Sequence, residues 1–136
     1  MTEDPADDRA AIRELIVGYA LALDAGDIDA CVALFAPDAE FLVYGRSFAG
    51  HDEIHQMFHD APRGLHLTGV SRIDVRTDTA TARSQVLFVR AGDLHLRPAL
   101  YDDELVRVEG RWLFRQRRCR FVTSAGLADS PEVPSS

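Results

Sequence analysis

An α+β fold is predicted, with helices gathered at the front of the chain and a sheet curled against them. Three observations predict it. Apolar residues recur at helical spacing before Pro62, four long runs of β-forming residues follow, and helices and strands never alternate as βαβ units would. The 136 residues suffice for one domain with an unaided core. That domain is expected over residues 7–124, with 1–6 a flexible start and the Pro/Ser-rich 125–136 a disordered tail.

The elements follow in order. Asp7 or Asp8 can cap a helix through AAIRELIVGYALAL, where Ile12, Leu15, Ile16, Tyr19 and Leu23 form the apolar face. Ala25-Gly26 ends it, and Asp27 caps a second helix through IDACVALFA that Pro37 stops. AEFLVYG reads as a first strand, and HDEIHQMFHDA as a third helix begun near Gly50 and closed by Pro62. The runs LHLTGVSRIDV, TATARSQVLFVR, LRPALYDDELVRV and RWLFRQRRCRFV, parted by TD, AGD and EG turn signals, then form an antiparallel meander.

Composition narrows the function. A net charge of -7 argues against a nucleic-acid partner, and no apolar run is long enough to span a bilayer. The acidic start lacks the pattern of a signal peptide, and Cys31 and Cys119, far apart and without C-x-x-C spacing, read as two buried free thiols, so a cytoplasmic setting is expected. The chain has no lysine, which excludes Schiff-base catalysis through a lysine amine. There is no Gly-rich phosphate loop, and no cofactor is expected.

The acid Asp24 poses the main question. On a helical wheel it falls between Ala20 and Val17, within a broad apolar arc. Two readings are open: the carboxylate caps the AGD turn in water, or it is covered and needs a partner, because an unpaired buried carboxylate costs several kcal/mol. Among the histidines, His51, His55 and His59 share a helix face but lack the acid of H-E-x-x-H and a third ligand, so they read as a solvated or half-buried face and no metal is expected. His66, at the start of a long strand, is the candidate partner for Asp24. Strict alternation sets it opposite Ile73 and Val75, and a bulge near Gly69 is required to turn it inward.

The patterns DRAAIRELIVGYALALDAGDIDACVALFAPDAEF, SFAGHDEI, LHLTGVSRIDV and VRVEGRWLF resemble the SnoaL-like proteins of the nuclear transport factor two-like superfamily. The resemblance implies a cone-shaped, cystatin-like α+β barrel, a bent antiparallel sheet wrapped around three helices, with a pocket in its open end and often a homodimer. Asp24 and His66 match the acid and base of dehydratase and dehydrochlorinase members, in which the acid orients the imidazole and the imidazole takes a substrate proton. Arg117 matches an arginine near the leaving group, whereas Tyr19 stands five residues before the Asp where dehydrochlorinase members have lysine. The general base of isomerase members falls near Val43, which cannot accept a proton.

The function expected from these matches is a cofactor-independent, dehydratase-like lyase acting on a small hydrophobic hydroxylated or carbonyl-bearing molecule. His66 and Asp24 are its catalytic pair, and Tyr19, Tyr44, Tyr101, Phe88 and Arg117 its substrate contacts. The alternatives are an isomerase or cyclase with the same base, or a non-catalytic small-molecule binder.

Overall fold

The computed structural model describes residues 5–133; residues 1–4 and 134–136, and the parts of the expected flexible ends that fall there, lie outside the described residues. Helix α1 spans Pro5–Asp24, α2 Ile28–Val32 and α3 Gly50–Asp60. The strands are β1 Phe35–Val43, β2 Arg46–Ala49, β3 Gly64–Val75, β4 Thr79–Arg90, β5 Leu96–Val108, β6 Arg111–Thr123 and β7 Gly126–Ala128. They form one curved sheet in the order β2-β1-β6-β5-β4-β3, with β7 paired to the end of β6. The arrangement is α+β, helices followed by a curved sheet, as the resemblance implies.

Four details correct the expectations. The second helix ends at Val32, and Phe35 to Pro37 already belong to β1. Pro37 does not break β1 because it sits between Phe35 and Glu40, where pairing with β6 is interrupted and no ladder N–H is required of it. The β1–β6 pairing is parallel, so the sheet is mixed, and it stays open between β2 and β3. RSFA forms the short strand β2, joined to β1 by a two-residue hairpin at Tyr44 and Gly45, both with positive φ. The tail is partly ordered, since Gly126–Ala128 pairs with Phe121–Thr123.

Asp8 lies inside the first turn of α1 rather than capping it from outside. Its buried carboxylate accepts from Trp112 Nε1 at 3.1 Å and Arg107 Nη1 at 2.8 Å, tying the helix start to β5 and β6. Ile12, Leu15, Ile16 and Tyr19 are buried, whereas Val17 is exposed, so the apolar arc is narrower than the sequence suggests. At the other end of α1, Gly26 takes φ 81°, its N–H donates to Leu23 O and that of Asp27 to Ala22 O. This left-handed cap releases the chain directly into α2, where Asp27 Oδ1 accepts from Ala30 N–H.

The core centres on Tyr19, whose ring packs edge-on against Phe58 and Phe114, each 5.9 Å away between centroids. Burying each such ring contributes roughly 1.5–3 kcal/mol. Tyr19 and Phe58 also line a cavity between α1, α3 and the inner sheet face.

Candidate active site

Pairing along β3 explains which side chains enter the cavity. His66 stands opposite Phe88 and Thr68 opposite Val86, but the next partners are Ser71 and Ser84, so β3 holds one extra residue across Gly69 and Val70. This bulge reverses the alternation, letting His66 and Ile73 face the same interior. Gly64 is required by a close approach: a Cβ there would fall 2.6 Å from the Phe88 ring and 2.3 Å from Val89 O. The His66 imidazole consequently lies 4.7 Å from the Phe88 ring, centroid to centroid.

Asp24, the last residue of α1, reaches across to this strand. Its Oδ2 accepts the backbone N–H of His66 at 2.7 Å, and its Oδ1 lies 2.6 Å from His66 Nδ1. With both oxygens accepting, Nδ1 carries the proton and Nε2 is the unprotonated nitrogen. The two donors also offset the unfavourable placing of a negative charge at a helix C-terminus. The two side chains are 13% and 15% exposed, so the pair is largely withdrawn from water. Burial lowers the His66 pKa from its ordinary 6.5; the bond to Asp24 opposes this, and the Arg117 charge adds to it. At neutral pH the imidazole is uncharged.

Both residues line a cavity of about 350 Å3. Tyr19, Tyr44, Tyr101 and Phe88 line it as well, together with Leu23, Met57, Phe58, Val86 and Phe121. Deep inside, the hydroxyls of Tyr19 and Tyr101 face each other at 3.5 Å. Burial raises both phenol pKa values, so both stay protonated and can donate. Tyr44 sits at the mouth, 43% exposed, its ring stacked 5.5 Å from that of Phe121.

Arg117 does not join the lining, which corrects its expected place beside a bound molecule. It is fully buried beneath the cavity floor, its guanidinium carbon 4.2 Å from the Tyr19 ring centroid and 3.7 Å from that of Tyr101. Its Nε lies 3.0 Å from Asp103 Oδ1, the two residues facing each other across β5 and β6. Burial works against the charge, but the Asp103 carboxylate and the tyrosines outweigh it and hold the Arg117 pKa above the ordinary value. Arg117 therefore borders the cavity through the rings stacked on it, and its charge reaches His66.

The helix-face histidines diverge. His51 Nε2 is bonded to Phe35 O, His55 to Asp29 and His59 to Asp60, and no group of three metal-binding side chains occurs among the described residues. Cys31 and Cys119 are free and buried, and burial pushes each thiol up to about 12.

Sequence reasoning missed two cavity residues, Arg63 and Arg97. Arg97 Nη1 donates to Tyr44 Oη at 3.3 Å, and Arg63 Nη2 lies 3.4 Å from Asp24 O. Arg97 was within reach of sequence: in β5, Arg97, Ala99, Tyr101 and Asp103 alternate, so an inward Tyr101 brings Arg97 inward too.

The chain belongs to the SnoaL-like domain family, whose profile matches residues 4–118. No curated protein matches the sequence. Among solved structures, a protein of unknown function with a cystatin-like fold from Nostoc punctiforme superposes with a TM-score of 0.80 at 27% identity, covering 88% of this chain and 94% of that one. A candidate scytalone dehydratase from Novosphingobium aromaticivorans gives 0.79 at 25% identity, covering 100% and 95%. A hexachlorocyclohexane dehydrochlorinase from Novosphingobium barchaimii shares the fold with a TM-score of 0.77 at 22% identity, covering 96% and 97%.

Proposed function

We propose that the protein is a cofactor-independent lyase of the dehydratase type, with His66 as general base and Asp24 as the residue that positions it. One observation carries this reading: Asp24 engages both the backbone N–H and Nδ1 of His66, which leaves Nε2 as the proton acceptor in an apolar cavity. Nε2 takes a proton from the carbon next to a substrate carbonyl. The resulting imidazolium is stabilised by Asp24, in a setting where charge interactions exceed those in bulk water. Tyr19 and Tyr101 donate toward the developing enolate oxygen. As the carbon–carbon double bond forms and the β-hydroxyl departs, the imidazolium returns the proton and water leaves, so base and pair are restored.

The reading is tested by incubating the protein with a panel of small hydrophobic β-hydroxy ketones and following loss of one water by mass spectrometry. Conversion by the native chain and none by His66→Ala supports it; equal conversion by both overturns it.

The pH dependence follows from the lowered His66 pKa. The base works only when neutral, so kcat/KM rises with pH along a limb lying below 6.5 and is level at neutral pH. The unfolded chain binds this proton more readily than the folded one, so the same group costs stability as pH falls below 6.5 toward its folded value. A rate profile whose acid limb lies above 6.5 contradicts this.

We also propose a homodimer through the convex sheet face. Leu65 and Leu67 on β3 are about half exposed, as is Leu96 on β5, and Leu65 and Leu96 flank Val89 in one outward row. Sedimentation at micromolar concentration is expected to show a dimer, which Leu65→Glu with Leu96→Glu dissociates; a native monomer contradicts it.

A further inference from the structure

The cavity carries a second polar feature that proton abstraction does not use. The registers of β3, β4 and β5 place His66, Phe88 and Arg97 in one row across the inner face, His66 opposite Phe88 and Phe88 opposite Arg97. Two strand spacings separate the ends of that row, about 10 Å along the backbone. Arg97 is held at one end by the Tyr44 hydroxyl. Its Nε is buried without a hydrogen-bond partner, while Nη1 reaches the Tyr44 hydroxyl at the exposed mouth. A buried N–H of a charged group is costly to leave without an acceptor.

Charge around the cavity points the same way. In a chain of net charge -7, the cavity is lined by two arginines, Arg63 and Arg97, and by a single carboxylate, Asp24, already engaged by His66. The planar guanidinium fork matches a carboxylate in two-point hydrogen bonding. Arg63 is turned to Asp24 O, so Arg97 alone is left to meet an anion, and a phosphate, with its greater charge, calls for more than one well-placed cation.

We infer that Arg97 is a carboxylate-recognition residue and that the molecule bound here is a small, ring-bearing carboxylic acid. Its ring lies against Phe88, its carboxylate meets Arg97, and its far end reaches His66. This deepens the lyase reading by naming the substrate class, and rests on it for the role of the far end only. The anion site itself is independent of chemistry.

Isothermal titration with 2-naphthoate and its neutral analogue 2-naphthamide tests the inference at neutral pH. The native protein is expected to bind the acid about 10- to 100-fold more tightly than the amide, the range that a buried charge-assisted bond supplies. Arg97→Gln should erase that preference while leaving amide affinity within a few-fold, and Arg97→Lys should retain part of it. Equal affinity for the two compounds in the native protein, a comparison that requires no variant, overturns the inference. So does a preference that survives Arg97→Gln. His66→Ala separates the two readings. Its binding should keep the acid preference, and a preference lost there would also count against Arg97. An Arg97-dependent preference in a protein whose turnover is indifferent to His66 would sink the lyase and leave the carboxylate site standing.

Discussion

Replacing His66 by alanine is expected to lower kcat on a dehydratable substrate by about a hundred- to ten-thousand-fold, the usual contribution of a positioned general base. Asp24→Asn should approach the same loss by a different route. An amide has one acceptor oxygen where the carboxylate had two; with that oxygen taken by the backbone N–H of His66, its N–H2 faces Nδ1, which then accepts while the proton moves to Nε2. That tautomer directs a donor, not a base, at the substrate. Because Asp24 does not itself reach the reacting carbon, the loss should fall on kcat with KM little changed, and a pre-steady-state binding measurement separates this from a damaged cavity. Wild-type kcat in either variant contradicts the assignment.

Removing Asp103 is expected to be the most destabilising single change. Asp103→Leu strands the Arg117 charge in a site that is 0% exposed, with a cost of about 3–5 kcal/mol. The thermal midpoint should fall by roughly 10–20 °C. Adding Arg117→Met removes the stranded charge and should recover much of the loss, because an apolar pair in a sealed site is tolerated better than half an ion pair. Thermal unfolding of the two single variants and the double variant checks this. A double variant less stable than Asp103→Leu would show that the pair contributes more than mutual neutralisation.

The reach of sequence reasoning can be followed residue by residue. Strands β3 to β6 were legible because three turns with their own chemistry part them, at Thr77-Asp78, Ala91-Gly92-Asp93 and Glu109-Gly110. The inward turn of His66 was legible through Gly69, since a glycine inside a β pattern marks a bulge and the bulge sets the phase. The boundary between α2 and β1 was not, because Pro37 stops a helix as readily as it occupies a gap in strand pairing. Arg117 was misread for a subtler reason. Counting back from the Val108–Arg111 pair at the β5–β6 turn sets Asp103 opposite Gln116, and only the irregularity between Glu104 and Leu105 brings Arg117 opposite Asp103. No turn or glycine signals that slip. Arg97 was overlooked because an arginine near a strand end ordinarily reaches solvent, and its inward course depends on the alternation that it shares with Tyr101.

On the proposed mechanism His66 is a neutral imidazole held protonated on Nδ1 by Asp24, with Nε2 free to accept. Nitrogen-15 NMR of histidine-labelled protein, titrated through the acid range, reads this without any substrate. His66 is expected in the Nδ1–H tautomer at neutral pH and to take up a second proton only below 6.5, with the tautomer changed in Asp24→Asn. A His66 that is the Nε2–H tautomer in the native chain, or already doubly protonated at neutral pH, would contradict it.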